Sequence, residues 1–289
     1  YVSTRGAAPE LGFGDVLLAG LADDGGLYVP VEWPAIDTGS SDEYAAVAAS
    51  VLAPYVAPDL TEAELVQLCR DSYAGFRHPE VAPLVEIGDD HWLLELFHGP
   101  TLAFKDMALQ LVGRMFDRLL ERRDERITIV GATSGDTGSA AIEGVRGCER
   151  VQIVILYPEG RTSEVQRRQM TTVDAPNVHT LAVDGTFDDC QDLVKAMFAD
   201  RHFRESQRLS AVNSINWARI IAQTAYHASA ANRMGRSIDI CVPTGNFGNV
   251  LAGWIARHTG AEIDRLLVAT NSNDILTRFI RSRDMTTAG

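Results

Sequence analysis

The chain has 289 residues, 46% hydrophobic and 22% charged, and its 39 acidic against 26 basic side chains give a formal net charge of −13. That length predicts about two domains and that composition an ordinary globular protein. The negative charge argues against nucleic acid and anionic lipid as partners, and no apolar run approaches the ~20 residues of a membrane span.

In chain order, "YVSTRG" at the start lacks the apolar core of a signal peptide. "DDGGLYVP", Asp23 to Pro30, reads as a turn entering a short extended segment. A helix is predicted from about Asp42 to Ala53, capped by Ser41 and stopped by Pro54. A second begins at "TEAE", Thr61 to Glu64, with the spacing of a capping box.

From about residue 91 the pattern alternates between strands and helices. "WLLELF", Trp92 to Phe97, reads as a strand. Residues 104 to 123 read as a helix with an apolar stripe of Phe104, Ala108, Leu111, Val112, Met115 and Leu119. The opposite face carries Asp106, Gln110, Arg114, Asp117, Arg118 and Glu121. Strands follow at 127–131, 151–157, 178–183, 238–243 and 266–270. Helices are expected after Thr137, near Ser163, at 187–199 and 216–232, after Asn246 and from Asn273. β-Branched runs alternating with helices predict an α/β fold built on parallel strands covered on both faces. Ligands bind such sheets beyond the carboxyl ends of the strands.

The four cysteines, Cys69, Cys148, Cys190 and Cys241, lie far apart with no C-x-x-C pair. They read as reduced thiols of a cytosolic protein, with Cys190 and Cys241 expected as small buried hydrophobes. The seven histidines show no metal-ligand spacing, so no metal is expected. Trp92, Trp217 and Trp254 fall in element patterns and are expected in the core or at an interface. The chain opens without Met and stops after a helical pattern that has no terminator, so it is expected to be a fragment or the ordered part of a longer protein.

Three loops between strand and helix carry candidate chemistry. "GATSGDTGS", Gly131 to Ser139, offers small residues, the hydroxyls of Thr133, Ser134 and Thr137, and a helix N-terminus that favours an anion. It is neither a Walker A loop nor G-x-G-x-x-G, so nucleotide readings lose support. "PTGNFGN", Pro243 to Asn249, places Gly245 and Gly248 three apart, with Asn246 and Asn249 each following one of them, which suits a phosphate monoester. "NSINWAR" sets Asn213 and Ser214 ahead of Arg219 one helical turn on, a fork-shaped cation beside polar donors. Each loop has a plain alternative as a turn or helix cap, yet two anion-type loops on one sheet weaken that alternative. A fourth stretch, "HGPTLAFKD" from His98 to Asp106, sets Lys105 at the junction of a loop and a helix, beside Phe104. A free lysine is a poor nucleophile near neutrality, and apolar surroundings or imine formation remove its charge. A lysine, a phosphate cradle and a second anion site together are what pyridoxal 5′-phosphate and an amino-acid substrate require.

"HGPTLAFKD", "ATSGDTG" and "PTGNFGN", in this order and spacing, resemble the threonine synthase family, and "YVSTRG" and "DGGLYVP" look like that family's N-terminal domain. The resemblance implies a three-layer fold type II pyridoxal-phosphate architecture with mostly parallel sheets and a mainly helical N-terminal domain, its C-terminal part incomplete. The implied domains are residues 1–85, a larger cofactor-binding domain of 86–126 and 205–289, and a smaller domain of 127–204. By the same resemblance Lys105 is the Schiff-base lysine, and Gly245, Asn246, Phe247, Gly248 and Asn249 cradle the cofactor phosphate. Thr133, Ser134 and Thr137 hold the substrate carboxylate, and Asn213, Ser214 and Arg219 contact the substrate phosphate. Many enzymes of the wider fold type carry Asn where this chain has Asp136, so Asp136 receives no role. The family's Ser/Thr partner for the pyridine nitrogen has no counterpart before Gly289.

The implied reaction is conversion of O-phospho-L-homoserine and water to L-threonine and phosphate, in the cytoplasm, with monomer or homodimer left open. The alternatives are another enzyme of the same fold, a serine or threonine dehydratase or a sulfhydrylase, and a non-catalytic cofactor-binding homologue.

Overall fold

The computed structural model describes residues 1–37, 41–211, 216–243 and 245–283. Its elements run β1 (Val2–Ser3), α1 (Phe13–Ala19), β2 (Tyr28–Val29), α2 (Tyr44–Val56), α3 (Glu62–Tyr73), β3 (Leu84–Gly88), β4 (His91–Leu94), α4 (Asp106–Arg123), β5 (Ile127–Ala132), α5 (Asp136–Val145) and β6 (Val151–Pro158). They continue with α6 (Glu164–Thr171), β7 (Val178–Val183), α7 (Phe187–Ala199), α8 (Arg201–Ser206), β8 (Leu209–Ser210), α9 (Trp217–Met234), β9 (Ile238–Pro243), α10 (Gly248–His258), β10 (Ile263–Ala269) and α11 (Ile275–Ser282).

The strands β7, β6, β5 and β8 lie side by side in that order, all parallel. The runs Ile127–Ala132 and Val151–Pro158 are rich in Val and Ile, as a strand covered on both faces requires. β9 and β10 form a separate parallel pair, while β1–β2 and β3–β4 are small antiparallel pairs. Alternation along the chain announces parallel strands but does not say which strands share a sheet, so the division into two parallel sheets is a result of the structure.

Helix α9 lies at the centre. Asn216 caps it, its Oδ1 accepting from Ala218 N–H while its Nδ2 donates to the Leu17 carbonyl of α1. Gly235 ends it in the left-handed region at φ 59°, the conformation that glycine adopts without a Cβ penalty. Every residue from Trp217 to Ala231 is buried, because α2, α4 and α10 pack around it. A helix enclosed on all sides carries no single apolar stripe, and its small residues (Ala218, Ala222, Ala225, Ala228) permit the close approach.

Several local expectations change. The helix α2 begins at Tyr44, so Ser41 is not its cap; the Ser41 hydroxyl instead accepts from Glu43 N–H. The same helix runs past Pro54 to Val56, because Leu52, Tyr55 and Val56 are buried in the core. The capping box at Thr61 and Glu64 is present in both directions. Helix α4 is buried on more than its predicted stripe: Met107, Leu109, Phe116 and Leu120 are enclosed by α3, α5 and α9. Asp106, expected on the open face, is fully buried. Trp217 is in the core, whereas Trp92 and Trp254 are 41% and 42% exposed. Cys190 is buried as expected, but Cys241 is exposed, because β9 presents it on the open face of a two-stranded sheet.

The crossing of α4 and α5 is a backbone contact. A Cβ on Gly113 would lie 1.9 Å from the Gly144 carbonyl oxygen, and one on Gly144 would lie 2.4 Å from the Leu109 carbonyl oxygen. Only glycine fits at either place, and the contact fixes the spacing of two helices whose N-termini both enter the site described next.

Candidate active site

Lys105 occupies the cap position of α4, with 14% of its side chain exposed. Its ammonium lies 4.9 Å from the centre of the Phe104 ring. The loop ahead of it is tied down by Asp106. The Asp106 carboxylate accepts from Thr101 N–H at 2.8 Å and from the Thr101 hydroxyl at 2.7 Å. Burial pushes the Asp106 carboxyl above its ordinary pKa, and these hydrogen bonds act against that. A Cβ at Gly99 would lie 2.4 Å from the Asp106 Cβ, so the loop closes over the carboxylate at a glycine. From the other side Gln169 of α6 donates to the Thr101 carbonyl at 3.0 Å. His98 braces the start of the loop, its Nε2 2.7 Å from Glu95 and its ring against His78.

The Lys105 amine is ion-paired with Asp136, the first residue of α5. Sequence reasoning set Asp136 aside because it departs from the pattern of related loops, and the only local signal was its place at a helix start. In the same loop Thr133 is buried. Its hydroxyl accepts from Gly135 N–H at 3.0 Å and Gly138 N–H at 2.9 Å, so it holds the turn itself. Ser134 is exposed and Thr137 half-buried, which leaves their hydroxyls nearer to solvent than that of Thr133.

Arg219, in the first turn of α9, is only 3% exposed, and its Nη1 has no hydrogen-bond partner among the described residues. Burial lowers its pKa to about 10, opposed by the charge of Asp136. A buried guanidinium with an unmade donor bond is costly unless an anion joins it. Asn213 and Ser214, its predicted companions, lie outside the described residues.

The second anion-type loop enters α10. Gly245, Asn246 and Phe247 are exposed, and Gly248 and Asn249 half-buried. A Cβ at Gly245 would meet nothing within 4 Å. Leu251 N–H donates to the Phe247 carbonyl at the start of α10, and the first N–H groups of a helix have no intrahelical acceptor, which makes a helix start suited to an anion. Asn249 is held by α9: Tyr226 Oη lies 2.8 Å and His227 Nε2 2.9 Å from its Oδ1. An open groove of about 1110 Å³ joins this region to Phe97 and Phe104, with Asn249, Tyr226 and His227 on its wall. Lys105, Asp136 and Arg219 thus converge, while the 245–249 loop meets them through α9.

Burial lowers the pKa of His227 to about 4, against the pull of its Asn249 hydrogen bonds. Between about pH 4 and 6.5 the unfolded chain therefore binds a proton that the folded chain does not. The stabilising contribution is complete above pH 6.5 and is lost as pH falls toward 4, on the order of 3 kcal/mol in all. Urea unfolding of wild type and His227→Gln across this range checks it. The variant is expected to lose less stability on acidification, and equal losses would refute the assignment.

Among the described residues no three His, Cys, Asp or Glu side chains group as a metal site, and no helix is long and apolar enough to cross a membrane. Residues 1–73 match the family described as threonine synthase N terminus, and residues 79–288 the family of pyridoxal-phosphate dependent enzymes. The chain is 54% identical to the threonine synthase of Pseudomonas aeruginosa over 97% of its own length and 61% of that protein. Its structure superposes on that of the pyridoxal-phosphate-bound threonine synthase of Brucella melitensis with a TM-score of 0.94 at 50% identity, covering 100% of this chain and 64% of that one. For yeast threonine synthase the TM-score is 0.88 at 46% identity, covering 97% and 60%. The chain thus spans about three fifths of the length of these relatives, and their likeness bears out the expected fold type II architecture.

Proposed function

The chain belongs to the threonine synthase family of pyridoxal-phosphate-dependent enzymes, and on that premise we propose that it converts O-phospho-L-homoserine and water into L-threonine and phosphate in the cytoplasm, with pyridoxal 5′-phosphate as cofactor. The residues present fit that cofactor. Lys105 supplies a partly shielded amine, and the N-terminus of α10 with the open Gly245 offers N–H donors for a phosphate. When bound, the cofactor withdraws electrons from the substrate carbons, which lets a proton leave there.

In this reading Lys105 holds the cofactor at rest, and its freed Nζ then moves protons at Cα and Cβ of the substrate. Asp136 aims that amine, and Phe104 shields it. Ser134, Thr137 and the N–H groups at the start of α5 receive the substrate carboxylate, within a loop whose shape Thr133 maintains. Asn213, Ser214 and Arg219 hold the phosphate and stabilise the charge it carries away. Residues 127–204 form the smaller domain, and its closure over the cleft keeps water out until phosphate has left. Residues 86–126 and 205–289 form the larger domain, and residues 1–85 the N-terminal one.

The observation that carries this reading is Arg219, a buried guanidinium with a free donor, near the Asp136 that pairs with the lysine. A dehydratase or sulfhydrylase has no need of that second anion site. Arg219→Ala is expected to lower kcat/KM for O-phospho-L-homoserine by about 10² or more, the scale of a lost group that stabilises a charged transition state. The imine absorbance should remain. Turnover within twofold of wild type, measured as phosphate release, would reject the phosphate role.

A further inference from the structure

We propose that Tyr226 and His227 are positioning residues that orient the side-chain amide of Asn249, nitrogen outward, for the cofactor phosphate; this rests on the pyridoxal-phosphate reading above. The hydrogen-bond geometry decides the orientation. His227 Nε2 lies 3.1 Å from the Asn249 main-chain carbonyl and 2.9 Å from Asn249 Oδ1. The main-chain carbonyl can only accept, so Nε2 carries the proton. Nδ1 is then bare, and it is buried with no partner among the described residues.

Tyr226 Oη donates toward Asn249 Oδ1 at 2.8 Å, with Gln223 Oε1 at 3.2 Å as a second acceptor. The Gln223 amide is itself set, because its Nε2 donates to the Arg219 carbonyl at 3.0 Å. The donor that fixes the amide is therefore His227 Nε2–H, with the Tyr226 hydroxyl adding a second when its single proton points to Oδ1 rather than to Gln223 Oε1. A flipped amide would turn an N–H against His227 Nε2–H in a buried place. The nitrogen end is left for the mouth of the loop, on the first turn of an 11-residue helix.

These polar side chains share one flank of α9. Arg219, Gln223, Tyr226 and His227 are spaced i, i+4, i+7 and i+8, in a helix that is otherwise largely small and apolar. One rigid helix thereby joins the proposed substrate-phosphate and cofactor-phosphate residues, Arg219 and His227 being about 12 Å apart along its axis from the rise per residue. Gly253 of α10 allows the close approach, since a Cβ there would lie 3.3 Å from His227 Cε1.

The test compares pyridoxal 5′-phosphate with pyridoxal, which lacks the phosphate, by titrating imine absorbance in wild type, Tyr226→Phe, His227→Leu, His227→Gln and Asn249→Ala. Preference for the phosphorylated form is expected to fall by about tenfold in Asn249→Ala and His227→Leu and by about threefold in Tyr226→Phe. His227→Gln, whose amide can still donate near the Nε2 position, is expected to recover most of it. A role only in holding α9 against α10 would weaken both ligands equally, and an unchanged preference in Tyr226→Phe and His227→Leu overturns the proposal. Failure of wild type to form an imine with either compound would instead sink the cofactor reading itself.

Discussion

Replacing Lys105 by alanine is expected to remove the imine absorbance and to lower turnover of O-phospho-L-homoserine by about 10³-fold or more. Two functions vanish together. In the proposed reading the amine is the covalent attachment point and also the group that moves protons at the reacting carbons. Positioned proton transfer alone contributes typically 10²–10⁴-fold, and loss of the covalent hold adds to it. Folding should be little affected. Lys105 is the cap residue of α4 but makes no side-chain cap, and the loop is anchored by Asp106. A bulky neutral replacement, Lys105→Met, should behave alike, which separates loss of the amine from loss of packing over Phe104. Retention of more than a tenth of the turnover in either variant would contradict the role.

Gly113→Ala is expected to be the most damaging conservative change to the fold. Alanine in a helix interior is favoured over glycine by up to about 1 kcal/mol, so propensity alone predicts a gain. Against it stands a Cβ 1.9 Å from the Gly144 carbonyl oxygen, a backbone atom that no rotamer change can move. Overpacking typically costs about 1–3 kcal/mol, occasionally more, and this contact belongs at the upper end. The net expectation is a loss of roughly 2–3 kcal/mol. Pushing α4 from α5 also separates Lys105 from Asp136, since each lies at the start of one of these helices. Denaturant midpoints check the stability, with Gly75→Ala as control because a Cβ there meets nothing within 4 Å. A stabilised Gly113→Ala protein would show that propensity outweighs the clash.

Much of the fold was legible because local pattern and final structure agree. The Ile and Val runs of β5 and β6 became strands, and the Thr61–Glu64 spacing became a reciprocal cap. The small antiparallel pair β3–β4 was only half foreseen. Leu84–Gly88 is exposed along most of its length and carries little of the alternation that marks a strand. The helix α1 was missed because it sits among glycines and depends on long-range ties such as Asn216 to Leu17.

The site divides along the same line. Lys105 and the glycine-rich loop at 245–249 stand out by composition and by their place between strand and helix. Asp136 beside Lys105 is a contact across 31 residues, and no local rule pairs them. Arg219 was singled out, but its burial follows from the enclosure of α9, which only the packing reveals. Thr133 was expected to face a ligand, whereas its hydroxyl bonds within its own turn, a use open to any buried threonine at a strand end. The best unread signal was polar Gln223, Tyr226 and His227 inside the run "ARIIAQTAYHASAA". Buried polar groups in such a helix need partners, and Asn249 is the partner of two of them.

Reducing the protein with borohydride in the presence of pyridoxal 5′-phosphate, then mapping its peptides by mass, tests the covalent link between lysine and cofactor most directly. A single stable pyridoxyl-phosphate adduct on Lys105 is predicted. An adduct on Lys195, the chain's other lysine, in its place, or none at all, would contradict it.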